Sequence, residues 1–247
     1  MTDSKFEQGW RRRFVERGEN KNDDAGIAGW TTTGLKSRIR QFRHIWQNIS
    51  RPRGIWLDIG CGAGSYTRIL QSEGHQAIGL DYSSPSVKKA RDRSPEGIFW
   101  LAANIYQLPF SPGNANGVLC FGVMQALAHP DTALKEMSRV LKPGGEIWLD
   151  ALNAGCLPTR LKESIRRLSG RPPHLRYDVR SDLVAKAEAA ELEMVTWHWM
   201  PLTPGRLSWL QPLVESAPMR LLFRKLPWIG SAFSHSFVLQ LRRQKID

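Results

Sequence analysis

The stretch Ile55-Trp56-Leu57-Asp58-Ile59-Gly60-Cys61-Gly62-Ala63-Gly64 constrains this chain more than any other feature. Five residues of strand-forming character deliver the chain to a turn with glycine at 60, 62 and 64. Residues 65–73 then carry helical periodicity, with Gly74 as the stop. Glycine lets such a turn adopt positive φ and lets a ligand approach the backbone closely. The helix that follows aims its unpaired N–H groups at whatever lies over the turn.

The pattern repeats downstream. Strands are expected at 77–80, 98–102, 118–122 and 146–150, and helices at 84–91 and 131–141. The run Val118–Gly122 is continuously apolar, as a strand buried on both faces should be. Pro143-Gly144-Gly145 reads as the turn from helix to strand. Strands alternating with helices imply βαβ units and a parallel sheet. After 155 the pattern loosens into a basic helix over 156–169, a helix at 181–190 and a sixth strand at 192–199. A proline-rich insertion at about 200–230 and a last strand at 236–241 follow. Upstream, Leu35, Ile39, Phe42, Ile45, Trp46 and Ile49 recur at steps of three and four, an amphipathic helix over 34–49. Lys36, Arg38, Arg40 and Arg43 fall on its other face, and Arg51-Pro52 ends it. Residues 1–25 read as a flexible arm or a short helix.

A glycine turn alone is weak evidence, because dinucleotide enzymes carry a similar G-x-G-x-x-G pattern. Here the third glycine comes one residue early, and Asp58 sits two residues before the first. That arrangement resembles motif I of the class I S-adenosylmethionine-dependent methyltransferases. Three further segments resemble the family in order. Gly79-Leu80-Asp81-Tyr82-Ser83 is similar to its second motif. Ala103-Asn104-Ile105-Tyr106-Gln107-Leu108-Pro109-Phe110 is similar to its D-A-x-x-L-P-F segment, with asparagine where aspartate is usual. Arg139-Val140-Leu141-Lys142-Pro143-Gly144-Gly145 matches the R-x-L-K-P-G-G turn of the branch that includes quinone and sterol methyltransferases. The resemblance covers about residues 50–151.

The resemblance implies an α/β, Rossmann-like, seven-stranded, mostly parallel sheet with helices on both faces. Residues 1–50 would form an N-terminal arm and helical lid. Residues 51–247 would form the methyltransferase domain, with an insertion before the last strand. It implies S-adenosylmethionine as cofactor, held by Asp58, Gly60, Cys61 and Gly62 in the turn. Asp81 would take the ribose hydroxyls, with Tyr82 against the adenine. Asn104 and Ile105 would reach the adenine, the asparagine accepting through its carbonyl oxygen. Phe121 would line the cofactor, and Gln125 and His129 would lie towards the substrate. Methyl transfer needs alignment and exclusion of water more than covalent help. His129 and His44 are the imidazoles expected near the cleft, and neither is assigned as a base.

Charge bears on the partner. Residues 1–53 carry 12 Lys/Arg against 6 Asp/Glu, and residues 156–247 carry 15 against 8. Residues 54–155 carry 8 against 9, so the glycine-turn region is neutral and both flanks are basic. Basic flanks favour an anionic partner, either lipid or RNA. Met219–Ile229 mixes apolar bulk with Arg220, Arg224 and Lys225, which suits peripheral contact with an anionic membrane. RNA is kept open by the basic flanks and the ten tryptophans, which could stack on bases. The expected activity is methyl transfer to a small-molecule or lipid-like acceptor, with an RNA methyltransferase or a non-catalytic cofactor-binding subunit as alternatives. No apolar run suggests a signal peptide or a spanning helix, and a cytoplasmic setting is expected, with membrane-peripheral attachment as a variant.

Overall fold

A computed structural model of the chain describes residues 4–47, 49, 51–170, 175–203 and 205–245. Parts of the expected arm (1–3), of the junction at 48 and 50, and of the insertion (204) lie outside these residues.

Seven strands form one sheet: β1 (Ile55–Ile59), β2 (Gln76–Asp81), β3 (Phe99–Ala102), β4 (Ala115–Cys120), β5 (Leu141–Leu152), β6 (Leu192–Met200) and β7 (Ser236–Arg243). Their order is β3-β2-β1-β4-β5-β7-β6. The first five run parallel, and β7 is antiparallel to both neighbours. This is the Rossmann-like arrangement expected from the sequence. The order reverses between β1 and β4, so a crevice opens outside their carboxyl ends, where such sheets bind ligands.

Eleven helices accompany the sheet among the described residues. In chain order the first six are α1 (Lys5–Asn20), α2 (Asp24–Ala28), α3 (Thr32–Trp46), α4 (Ser65–Ser72), α5 (Ser84–Arg93) and α6 (Pro130–Val140). Then come α7 (Leu157–Leu168), α8 (Arg180–Glu188), α9 (Gln211–Val214), α10 (Ala217–Lys225) and α11 (Pro227–Phe233).

Strand alternation sorts the core onto two faces. Leu57, Ile59, Val118, Ile147 and Leu149 point to one face, where Leu134 and Met137 of α6 and Leu183 of α8 cover them. Trp56, Leu119, Trp148 and Val238 point to the other, against Phe42 and Trp46 of α3 and Ile69 and Leu70 of α4.

Three local expectations need correction. Residues 5–20 are a full helix rather than an arm. Ser4 caps it by accepting the Glu7 N–H at 3.2 Å, and Trp10 is buried beneath it. Consequently α1 and α2 cover the crevice together with Leu35 and Arg38 of α3, while Phe42 and Trp46 of α3 pack on the sheet. Arg38, placed by periodicity on the solvent face of α3, is buried. The turn expected at Pro143-Gly144-Gly145 lies inside β5 as a bulge: pairing with β4 jumps from Leu141 to Glu146, pairing with β7 starts at Glu146, and Gly144 has φ 78°. The insertion at 200–230 folds into α9, α10 and the start of α11 behind a 3-10 segment.

Candidate functional site

The glycine turn hangs on β2. Gly60 and Cys61 both donate their N–H to the Leu80 carbonyl, at 2.7 and 2.9 Å. Gly60 (φ 77°) needs glycine twice over, since a β-carbon would also strike Val123 Cγ2 at 2.1 Å. Gly62 differs. Its φ is 51°, and a β-carbon there would meet nothing nearer than Ile27 at 3.9 Å. That β-carbon would project into an open cleft, so the backbone at 62 is bare towards a ligand.

Asp81 closes the turn from the end of β2. Its Oδ2 accepts the Gly62 N–H and its Oδ1 the Ser83 N–H, each at 2.8 Å. The cap of α5 is Ser83, whose Oγ accepts from Ser86, so Asp81 has no capping duty. Burial raises its pKa against the pull of these N–H donors. Each carboxylate oxygen retains acceptor capacity beyond the one bond it makes.

Around this point the structure gathers one cleft of about 1160 Å³ of empty space, its mouth included. Gly60, Cys61 and Gly62 after β1 line it, together with Asp81, Tyr82, Asn104 and Ile105 from the β2–β3 side of the sheet and Phe121 from the β4 side. These are eight of the nine residues the resemblance assigned to the cofactor. Phe121 stacks on Tyr66 at 4.8 Å, and the Arg11 guanidinium lies 4.5 Å above the Tyr82 ring. Asn104 Oδ1 accepts the Tyr106 N–H at 3.1 Å, which orients its side chain in the loop after β3.

The remaining assigned residues stand elsewhere. Asp58, the ninth, is buried below the turn and accepts from Thr67 Oγ1 at 2.5 Å, off the cleft wall. Gln125 is buried and donates to the Gly122 carbonyl at 2.6 Å, and His129 starts α6 beside Tyr106; neither lines the cleft. His44 lies in a separate groove between α3 and β6.

Desolvation of Asp58 has a measurable consequence. Burial pushes its carboxyl up from 3.8 to about 7, despite the Thr67 hydrogen bond. A raised folded-state pKa stabilises the protein fully below about pH 4 and is lost as pH rises through about 7. Asp58→Asn keeps an acceptor for Thr67 and removes the titration. At pH 8 it should be more stable than the wild type by about 4 kcal/mol, or roughly 8–16 °C in melting temperature. Melts at pH 5 and pH 8 check this, and an identical pH dependence in the two proteins would refute it.

Three residues of the cleft escaped the sequence reading. Glu7 of α1 is buried and accepts from the Tyr106 hydroxyl (2.7 Å), the Ala128 N–H (2.9 Å) and Arg11 Nη2 (2.9 Å). It fastens α1 across the cleft. Asp150 at the end of β5 accepts the Gly122 N–H and Arg38 Nη1, each at 2.6 Å. Arg38 is 2% exposed, lies flat on the Trp30 ring at 3.7 Å and lines the cleft. Its Nε and Nη2 are buried without a partner. Two orphaned donors on a fixed guanidinium suit a carboxylate. S-adenosylmethionine fits this set: a bare backbone at Gly62, a carboxylate for hydroxyls at Asp81 and an anion-seeking fork at Arg38.

Residues 57–149 match the family described as "Methyltransferase domain". A ubiquinone biosynthesis O-methyltransferase of Xanthomonas campestris pv. campestris is 27% identical over 173 residues, covering 66% of this chain and 72% of that protein. A human protein described as "Probable tRNA methyltransferase 9B" is 33% identical over 115 residues, covering 45% of this chain and 23% of that one. The chain spans 20 to 24% of the length of the first curated relatives it matches. Among solved structures, magnesium protoporphyrin IX methyltransferase from Synechocystis PCC 6803 with bound SAH superposes with a TM-score of 0.65. The match has 13% identity and covers 97% of this chain and 100% of that one. The strand order and the glycine turn are those of the class I, Rossmann-like fold, and the family match identifies residues 57–149 as an S-adenosylmethionine-dependent methyltransferase domain.

Proposed function

We propose that this chain transfers the methyl group of S-adenosylmethionine to a small-molecule or lipid-like acceptor by in-line displacement. The observation that carries the reading is α1 lying across the cleft. With Glu7 bonded to Tyr106 and Ala128, the space beneath is walled by Trp10, Phe14, Ile27, Trp30 and Leu35. A cleft bridged in this way and walled largely by apolar side chains suits a compact acceptor better than a folded polynucleotide. The relative named for ubiquinone biosynthesis agrees with it.

The bound cofactor supplies an activated methyl group. The chain's own residues then have separable tasks. Gly62 lets the ligand lie against the backbone. Asp81 would accept from ribose hydroxyls with its remaining lone pairs, and Asn104 Oδ1 has a second lone pair that would serve an adenine amino group. Arg38 holds the carboxylate end through Nε and Nη2, while Asp150 fixes the guanidinium. Phe121 and the aromatic chamber exclude water, which sharpens every electrostatic contact inside.

The carboxylates lining the cleft are all engaged. Glu7 serves Tyr106, Asp24 pairs with Arg68 and Ser65, Asp81 holds the turn and Asp150 holds Arg38. An acceptor that sheds its own proton readily, such as a phenol or an enol, suits a chamber so furnished.

The test is methyl transfer from radiolabelled S-adenosylmethionine, with separate lipid, small-molecule and RNA fractions of a cell extract as acceptors. Label is expected in the organic-soluble or small-molecule fraction. Label confined to RNA would support the polynucleotide alternative, and cofactor binding without label anywhere would support the non-catalytic one.

A further inference from the structure

Helix α7 is mounted with its polar side inward and its apolar side out. Of its twelve residues only Thr159 is buried. Thr159 Oγ1 lies 3.5 Å from His235 Nδ1, and Glu163, one turn on, bonds Tyr177. Opposite them stand Leu157, Leu161, Ile165 and Leu168, which are 52%, 65%, 56% and 89% exposed. At about 100° per residue these four fall within roughly 80° of one another, a continuous apolar stripe. A surface helix of a protein free in water normally turns that stripe to the core, so this one is presented to something else.

The charges beside the stripe identify the occupant. Lys162 projects about 100° to one side of the stripe's centre, and Arg160 and Arg167 about 100–120° to the other. All three are exposed. Cations flanking both edges of an apolar stripe, with long stems able to lie along it, match a surface whose apolar interior is bounded by anions. Helix α11 packs against α7 and adds the exposed rings of Trp228 and Phe233. Trp suits the boundary between hydrocarbon and headgroup.

We propose that α7, extended by α11, docks this chain on an anionic phospholipid bilayer. A second copy of the chain is a poor occupant, because it would bring like cations to both edges of the stripe. RNA is a poor one as well, because only Trp228 and Phe233 could stack on its bases and the leucine and isoleucine stripe would stay uncovered. Among the described residues no helix is long and apolar enough to cross a membrane, so the contact is peripheral. Helix α7 follows β5 directly at the carboxyl end of the sheet, the end that carries the Asp150 side of the cleft. Docking there would turn that end of the sheet towards the bilayer. The placement holds whether or not the methyl-transfer reading does.

The test is co-sedimentation of the full chain with vesicles of equal parts phosphatidylglycerol and phosphatidylcholine, beside pure phosphatidylcholine, at near-physiological salt. Two variants accompany the wild type: Leu161→Ser, Ile165→Ser and Leu168→Ser together, and Arg160→Gln, Lys162→Gln and Arg167→Gln together. The altered side chains are exposed, so thermal melts should match the wild type. The wild type should pellet with the anionic vesicles and hardly with the neutral ones. Each variant should need roughly ten-fold more lipid or beyond for half-binding. No pelleting of the wild type, or equal pelleting of the stripe variant, would overturn the proposal. So would a wild-type dimer that the stripe variant dissolves, since a second copy would then own the stripe. A gel shift with total RNA, lost in the charge variant while vesicles are ignored, would assign the surface to RNA.

Discussion

Asp81→Ala should weaken S-adenosylmethionine binding by at least about a hundred-fold. On the proposed assignment the carboxylate would accept two ribose hydroxyls, and hydrogen bonds to a charged group contribute about 1.5–3 kcal/mol each. Losing both costs about 3–6 kcal/mol, and each ~1.4 kcal/mol is ten-fold in affinity. A second loss adds to the first. Asp81 also holds the Gly62 and Ser83 N–H groups at 2.8 Å, so its removal frees the turn that presents Gly62. Asp81→Asn keeps an acceptor without the charge and should fall between wild type and alanine. Titration calorimetry measures all three. Unchanged affinity in the alanine variant would sink the assignment, and binding of NADH instead would point to a dinucleotide enzyme.

Arg38→Met should damage both stability and ligand binding, and the two effects can be separated. The Arg38–Asp150 pair is buried at both ends, with side chains 3% and 1% exposed. Removing the cation leaves Asp150 buried and unpaired but for the Gly122 N–H, which typically costs 3–5 kcal/mol. Replacing Asp150 as well, in Arg38→Met/Asp150→Leu, removes the stranded charge and should recover much of that stability. Ligand binding should not return, because the Nε and Nη2 donors are still missing. Restored affinity in the double variant would mean that Arg38 only neutralises Asp150. The expected pattern is a melting temperature near wild type beside calorimetric binding weakened by about ten-fold or more, the loss of a charge-assisted pair.

The alternation of strand and helix, the seven strands and the glycine turn were all legible in the residues. Each is a local pattern: apolar runs of strand length, steps of three and four, and glycine where positive φ is required. Asp81 and Asn104 were singled out by the family resemblance, and both line the cleft because a parallel sheet puts the carboxyl ends of its strands side by side whatever the flanks do. The turn at Pro143-Gly144-Gly145 was legible as well, but its place inside β5 was not, because the pairing that brackets it, at Leu141 and from Glu146 onward, is made with distant strands.

What the sequence by itself determined is therefore the sheet, its order of elements and the bare backbone at its switch point. Periodicity also found α3 and its apolar side, but assigned Arg38 to solvent along with Lys36, Arg40 and Arg43. Only the tertiary structure decided otherwise, because the partner that makes burial of a guanidinium tolerable, Asp150, is 112 residues away. Glu7 is the same case: a carboxylate in a charged N-terminal segment, buried because Tyr106 and Ala128, 99 and 121 residues on, supply its donors. In α7 the amphipathic pattern shows that an apolar face exists without saying which way it turns. The polar contacts at His235 and Tyr177 settled that, and they turned the stripe outward. A local pattern records what a side chain prefers; whether a buried charge or an exposed leucine stripe is held depends on groups that only folding brings within reach.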